Sequence, residues 1–245
     1  MVDIHTHILP EVDDGARSWE MAVHMCHMAE QDGITHMVAT PHANDEYFYE
    51  RPRLENLLQE LSARVGPTLK FSLGCDFHFS YDNLAQLDPD PQQFTITGTH
   101  YLLVELSDFS VPPWVTAKLQ QLLDSGIQPI ITHPERNVLL QGKPALVCQW
   151  AQMGCPVQVT ANSLTGRWGE KASKTAQWLL RKEAVHIVAS DCHNIEGRPP
   201  ILSRASAVLE KNYGADIANA LLTENPLAVV EDRELPYFPR AAYGH

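Results

Sequence analysis

The chain has no long apolar run. Its longest, at residues 127–132 and 185–189, fall far short of the roughly 20 residues a membrane-spanning helix needs. The opening Met1-Val2-Asp3-Ile4-His5 lacks the basic segment and extended apolar stretch of a secretory leader, so a cytoplasmic location is expected. Cysteine is present but unpaired in pattern: Cys26, Cys75, Cys148, Cys155 and Cys192 are scattered, odd in number and without a C-x-x-C spacing. That pattern fits reduced thiols better than a disulfide framework or a zinc-thiolate site. Basic charge is also scarce. A net charge of −12 leaves no electropositive footprint for general nucleic-acid binding. The same charge would repel an anionic substrate at long range, unless bound divalent cations reverse the sign locally. There is no internal repeat and no low-complexity tract.

Against these absences stands a regular alternation. Strand-like runs at residues 2–5, 34–40, 70–75, 101–105, 127–132, 157–160 and 186–190 are separated by amphipathic stretches near 18–31, 51–65, 114–125, 144–153, 171–182 and 201–213. Such alternation predicts βα units and a parallel sheet. Seven strands without a linker favour a single barrel-like α/β domain over residues 1–245, with an open sheet as the alternative. The tail after Asn225, rich in proline and aromatics, is expected to wrap the surface.

Nearly every expected strand ends in His, Asp or Glu, at the rim where parallel α/β folds place their sites. The first strand runs into His5-Thr6-His7, and in an extended segment residues i and i+2 point the same way. Asp13-Asp14-Gly15 follows, with either aspartate able to turn back. Later ends carry Thr40-Pro41-His42, Gly74-Cys75-Asp76, Val104-Glu105, Thr132-His133-Pro134-Glu135-Arg136 and Ser190-Asp191-Cys192-His193-Asn194. Mixed imidazole and carboxylate donors suit zinc, manganese or iron better than calcium. A single H-x-H recurs by chance, but two acidic or imidazole pairs joined by three further strand-end donors form a metal-site pattern.

The opening Asp3-Ile4-His5-Thr6-His7-Ile8-Leu9-Pro10, the Asp13-Asp14-Gly15 turn, Thr40-Pro41-His42, His133-Pro134-Glu135-Arg136 and Ser190-Asp191-Cys192-His193-Asn194 resemble the polymerase-and-histidinol-phosphatase (PHP) superfamily. Within it they resemble the bacterial manganese-dependent tyrosine phosphatases of capsule and exopolysaccharide operons, the CpsB/YwqE type. The resemblance spans residues 3 to about 200. It implies a distorted (β/α)7 barrel and up to three divalent metals. His5, His7 and Asp191 would hold one, Asp76 would bridge to a second shared with Glu105 and His133, and Asp14, His42 and His193 would hold the third. Asp76 departs from the pattern, where a glutamate is usual and one methylene longer. The implied reaction is phosphotyrosine hydrolysis by a metal-activated hydroxide, with a tyrosine-phosphorylated kinase tail as the natural partner.

Arg136, Arg198 and Asp191 are the candidate catalytic residues. A guanidinium offers planar, bidentate donors to phosphoryl oxygens, although an arginine in such a loop is also often a plain ion-pair partner. Tyr47, Phe48 and Tyr49 either pack on a phosphotyrosine ring or anchor the next helix. His24 and His27 read as packing or surface residues. His36, His78, His100 and His186 have no nameable partner, and His245 is terminal. Cys192 and Arg198 have the C-x5-R spacing of cysteine-dependent tyrosine phosphatases. The intervening residues carry one late glycine and Glu196, and Asp191 adjoins the thiol, so coincidence is the better account.

Overall fold

The computed structural model describes residues 1–239; His245 and the other terminal residues lie outside that range. The strands are β1 (Val2–Thr6), β2 (His36–Ala39), β3 (His42–Ala43), β4 (Lys70–Leu73), β5 (Asp76–His78), β6 (Tyr101–Glu105), β7 (Gln128–Thr132), β8 (Val157–Thr160) and β9 (Ile187–Ala189). The helices are α1 (Trp19–Gln31), α2 (Arg51–Val65), α3 (Tyr81–Leu87), α4 (Val115–Asp124), α5 (Val138–Gly142), α6 (Ala145–Met153), α7 (Ala161–Leu164), α8 (Glu170–Arg181), α9 (Ser203–Tyr213), α10 (Ala215–Asn219) and α11 (Asn225–Val230). All strand pairing is parallel, in the orders β1-β2-β4 and β3-β5-β6-β7-β8-β9.

Each of the seven expected strands is present, but two are divided. The run at 34–40 stops at Ala39 and resumes as β3 beyond Pro41, which has no N–H to give to a ladder. The run at 70–75 stops at Leu73 and pairing resumes at Asp76. Both breaks fall at one level, where Gly74 N donates to Ala39 O at 2.8 Å and Asp76 N to Pro41 O at 3.2 Å. The chain therefore bends without losing its register. The segment after β9 also meets β1: Asp191 N donates to His5 O (3.0 Å) and His7 N to Cys192 O (2.9 Å).

Two apolar layers result. The larger lies between strands and helices and takes the outward residues Met37, Phe77, Leu102, Ile131, Val159 and Val188. The smaller is made by strands of both sheets, from Val2, Ile4, Val38, Leu103, Ile130 and Ile187, and Val229 of α11 closes one end of it. Strict alternation in β1 would turn His5 away from the face that holds Ile4. The pairing with β2 instead shifts, with Asp3 opposite Met37 but Thr6 opposite Ala39, so β1 has one residue more than its partner. A bulge of this kind re-aims the side chains beyond it. The tail follows the closed end of the small core: Tyr101 Oη donates to Arg233 O (2.6 Å) and Tyr237 N to Asn225 Oδ1 (3.0 Å).

His186 sits inside this base. Its Nδ1 accepts the Val157 N–H at 3.0 Å, and burial pushes its pKa from 6.5 down to about 4. Between those values the unfolded chain holds a proton that the folded chain refuses. Stability from this group is therefore complete above pH 6.5 and is lost as pH falls toward 4, by at most about 1.4 kcal/mol per pH unit. Urea unfolding of metal-free protein at stepped pH should show a steeper acid loss in the parent than in His186→Gln. Equal slopes would remove His186 from the account.

Candidate metal centre

At the opposite end of the strands the loops bring nine candidate ligands together. His5 and His7 come from β1 and its exit, Asp14 from the following turn, and His42 and Asp76 from the starts of β3 and β5. Glu105 ends β6, His133 follows β7, and Asp191 and His193 follow β9. Donor atoms lie within 4.8 Å of one another in three overlapping groups: His7, Asp14, His42 and His193; His5, His7 and Asp76; and His42, Asp76 and Glu105. His133 Nε2 stands 3.7 Å from Glu105 Oε1. Asp191 Oδ1 lies 3.4 Å from His5 Nε2 and 3.5 Å from His7 Nε2.

The turn places its two aspartates differently. Asp13 lies behind His7, with Oδ2 2.7 Å from Nδ1, while its Oδ1 accepts the Gly15 N–H at 2.9 Å. Asp14 instead faces His193 Nε2 at 3.2 Å and His42 Nε2 at 3.4 Å. Gly15 is required by contact, since a Cβ there would stand 2.2 Å from His7 O.

The imidazoles are held through their far nitrogens. His5 Nδ1 meets Gln158 Oε1 (2.9 Å), His7 Nδ1 meets Asp13, and His193 Nδ1 meets the Asp191 carbonyl (3.1 Å). A ring that donates from Nδ1 presents a lone pair at Nε2, the tautomer a metal needs. His5 Nε2 and His7 Nε2 face each other at 3.3 Å. His42 Nδ1, Asp76 Oδ2 and His193 Nε2 are buried without a hydrogen-bond partner. Inward-facing ring nitrogens and buried carboxylate oxygens, crowded at 3.2–3.4 Å, fit divalent cations.

Electrostatics supports this fit. Burial works against the Asp191 carboxylate, yet Arg198, His5, His193 and Arg136 together hold it well below the usual range. Asp76 is likewise held low against burial by His5 and His42. Glu105 moves the other way, because burial and the Asp76 charge both oppose its ionisation. His7 is pushed down to about 3 by burial and by His193. His5 moves the opposite way: against its burial, Asp76 and Asp191 together raise it to about 9, and a cation would relieve the carboxylate repulsion in place of that proton. His133 and Asp191 have φ of 32° and 53°. Left-handed backbone at non-glycine residues costs on the order of 1–3 kcal/mol each and concentrates at functional sites.

Arg136 Nη1 and Arg198 Nη2 both donate to Asp191 Oδ2 at 2.6 Å. Trp168 lies against the two, with ring-centroid distances of 4.3 and 5.2 Å. Tyr47 stacks on His42 at 6.0 Å and 18°. It lines a groove of about 340 Å³ that reaches Glu105, His78 and the exposed ring of Phe109. Tyr49 is buried instead and donates to Gly74 O, so the aromatic run divides between site and core.

Cys192 is fully buried. Burial and the neighbouring Asp3 push its thiol well above the ordinary range, which is the reverse of an activated nucleophile. Of the remaining histidines, His78 has a partner in Glu105 (3.4 Å) and His36 in Ser72 (2.9 Å), while His100 pairs with Asp232. His24 lines a second hollow of about 630 Å³, shared with Asp14 and His193. Sequence reasoning missed Gln158, Trp168 and the supporting role of Asp13. Of these only Asp13 had a signal, its place in the turn.

Parallel strands with a rim of imidazole and carboxylate donors, and arginines at its edge, define an α/β protein with a His/Asp/Glu metal-type centre. The family described as "Capsular polysaccharide synthesis, CpsB/CapC" matches residues 1–231, and the chain belongs to that family. It is 31% identical to the tyrosine-protein phosphatase CpsB of Streptococcus pneumoniae over 242 residues, covering 95% of this chain and 99% of that protein. It is also 31% identical to the tyrosine-protein phosphatase YwqE of Bacillus subtilis strain 168 over 229 residues, covering 92% and 89%. A solved structure from work on YwqE of B. subtilis and CpsB of S. pneumoniae, described as unique metal-dependent tyrosine phosphatases, aligns with a TM-score of 0.89. It is 29% identical and covers 98% of each chain.

Removing the support behind His7 should loosen metal binding without touching a candidate ligand. Asp13→Ala is expected to weaken manganese affinity by about 10–100-fold in a chelator competition titration. Unchanged affinity would mean that Asp13 does not orient the ring.

Proposed function

We propose that this chain is a metal-dependent protein-tyrosine phosphatase. One observation carries the reading: nine imidazole and carboxylate side chains meet at one rim, and two arginines converge on the Asp191 carboxylate beside them. The kinship with CpsB and YwqE supports the same reaction class. His5, His7 and Asp191 would hold one metal, Glu105 and His133 with Asp76 a second, and Asp14, His42 and His193 a third. We assign manganese, in keeping with the PHP-type resemblance; zinc and iron suit the same donors. The two sheets form one distorted barrel in this reading, since the segment after β9 bonds to β1 and the inner apolar cluster draws on both. A single domain and a cytoplasmic location belong to it as well, in keeping with five buried free thiols.

When bound, divalent ions supply Lewis acidity that activates the attacking water and offsets phosphoryl charge. The rest falls to the chain. Arg136 and Arg198 bind phosphoryl oxygens with the donors that Asp191 leaves free. Asp191 keeps both guanidinium groups at the cluster's edge. Tyr47 and Phe109 border the groove where the tyrosyl ring lies, and the exposure of Phe109 suits a phosphotyrosine on a protein surface. The substrate class is a tyrosine-phosphorylated protein, and a capsule-linked tyrosine kinase tail is the candidate we favour.

Hydrolysis of a phosphotyrosine peptide by chelator-stripped protein should be near background and return with manganese. Cys192→Ser should keep most of that activity, whereas His5→Ala should lose at least about 100-fold. Activity indifferent to chelation but abolished in Cys192→Ser would overturn the proposal. Preference for histidinol phosphate over the peptide would move the chain to small phosphomonoesters.

A further inference from the structure

Two guanidinium cations that converge on one carboxylate oxygen repel each other, and Asp191 Oδ2 alone does not set the angle of either plane. Both Arg136 and Arg198 also lie against one indole, with Cζ 4.3 and 5.2 Å from the Trp168 ring centroid. The negative face of an indole is the strongest cation–π platform among side chains, and it attracts both charges at once. Trp168 is half-buried, its indole Nε1 has no hydrogen-bond partner among the described residues, and its place is set by the backbone of its loop. Its loop between α7 and α8 is flanked by Gly166 (φ 79°) and Gly169 (φ 87°), whose left-handed backbone suits glycine. Within the loop Arg167 N donates to Asn162 O (2.9 Å) and Gly169 N to Gly166 O (3.1 Å). Arg167 Nη2 reaches Glu196 O at 3.2 Å, which ties this loop to the one that carries Arg198. Arg198 Nε is buried and has no hydrogen-bond partner among the described residues, so Asp191 and the indole are what fix this guanidinium.

We propose that Trp168 is a positioning residue that holds Arg136 and Arg198 as one rigid clamp for a phosphoryl group at the edge of the metal centre. The inference rests on the phosphatase reading for the clamp's ligand, and it adds a residue outside every motif that carries the family resemblance. Trp168 touches neither substrate nor metal; it acts through the arginines. A clamp set in advance loses less side-chain entropy when the anion arrives, so the loss of the platform should appear as weaker phosphate binding.

The test uses manganese-loaded protein as parent, Trp168→Ala, Trp168→Leu and Trp168→Phe. It reads calorimetric binding of inorganic phosphate, kcat and KM on a phosphotyrosine peptide, metal content and Tm. Trp168→Ala and Trp168→Leu should weaken phosphate binding and raise KM by about tenfold, with kcat changed less and metal content unchanged. Trp168→Phe should recover most of the affinity, because it restores a π face. Parent-like phosphate affinity in Trp168→Leu, or lower kcat and Tm at unchanged KM, would overturn the clamp. Failure of Trp168→Phe to improve on Trp168→Leu would overturn the cation–π basis. If the parent binds phosphate, loses that binding in Trp168→Leu, and yet does not hydrolyse phosphotyrosine, the clamp stands and the tyrosine-phosphatase reading falls. A parent that binds no phosphate overturns both.

Discussion

Four carboxylates and five imidazoles are held within a few ångströms of one another, most of them out of contact with water. Left alone, such a group is self-repelling: Asp76 raises the cost of ionising Glu105, and the Nε2 atoms of His5 and His7 stand 3.3 Å apart. The arrangement is tolerable because it is built to enclose positive charge. In a chain with a net charge of −12 it is also where an anionic substrate finds a favourable potential. The need to hold these groups together accounts for the features around them. Second partners sit on the outer nitrogens of three rings, left-handed backbone occurs at His133 and Asp191, and a glycine at position 15 lets the turn close on His7.

The scaffold resists that repulsion through packing and buried hydrogen bonds. Glu135 is fully buried behind His133, accepting from Thr160 N at 2.8 Å and from Ser163 Oγ at 2.7 Å, which joins the β7 exit to the β8 exit. Asp3 accepts the Ser190 N–H at 3.0 Å and fixes β1 against the loop that supplies Asp191. Thr132 reaches both Val104 O and Asp76. These links cross between strands just below the rim, and the one from Thr132 to Asp76 spans β6. The ligand positions are therefore set by the sheet and not by loops alone, which is the condition for a preorganised centre.

Much of this was legible beforehand. The positions of all seven strand runs follow from β-branched content and flanking helical periodicity, and the acidic or imidazole residue at nearly every strand end follows from where parallel folds place their sites. Helix α2 runs over the same residues its pattern indicates, 51–65. Less was legible where elements are short. Helices α3, α5, α7 and α10 span seven residues or fewer, and their patterns are too brief to rise above local composition. The divided strands were missed because the run continues in hydropathy while Pro41 interrupts it in hydrogen bonding.

The amino-acid sequence by itself determined the inventory: which donor types exist, that they sit at strand ends, that the cysteines follow no paired spacing and that the net charge is −12. These are properties of residue type and spacing, which do not depend on the rest of the chain. The tertiary structure alone decided orientation. Only the paired strands reveal the extra residue in β1 that brings His5 and Ile4 to the same side. The folded turn sends Asp14 to the cluster and Asp13 behind it. Trp168 meets Arg136 and Arg198 from outside any shared motif. Such contacts join residues tens of positions apart, and a one-residue shift reverses the face a side chain occupies. No local pattern carries that information, because it arises from the register between strands.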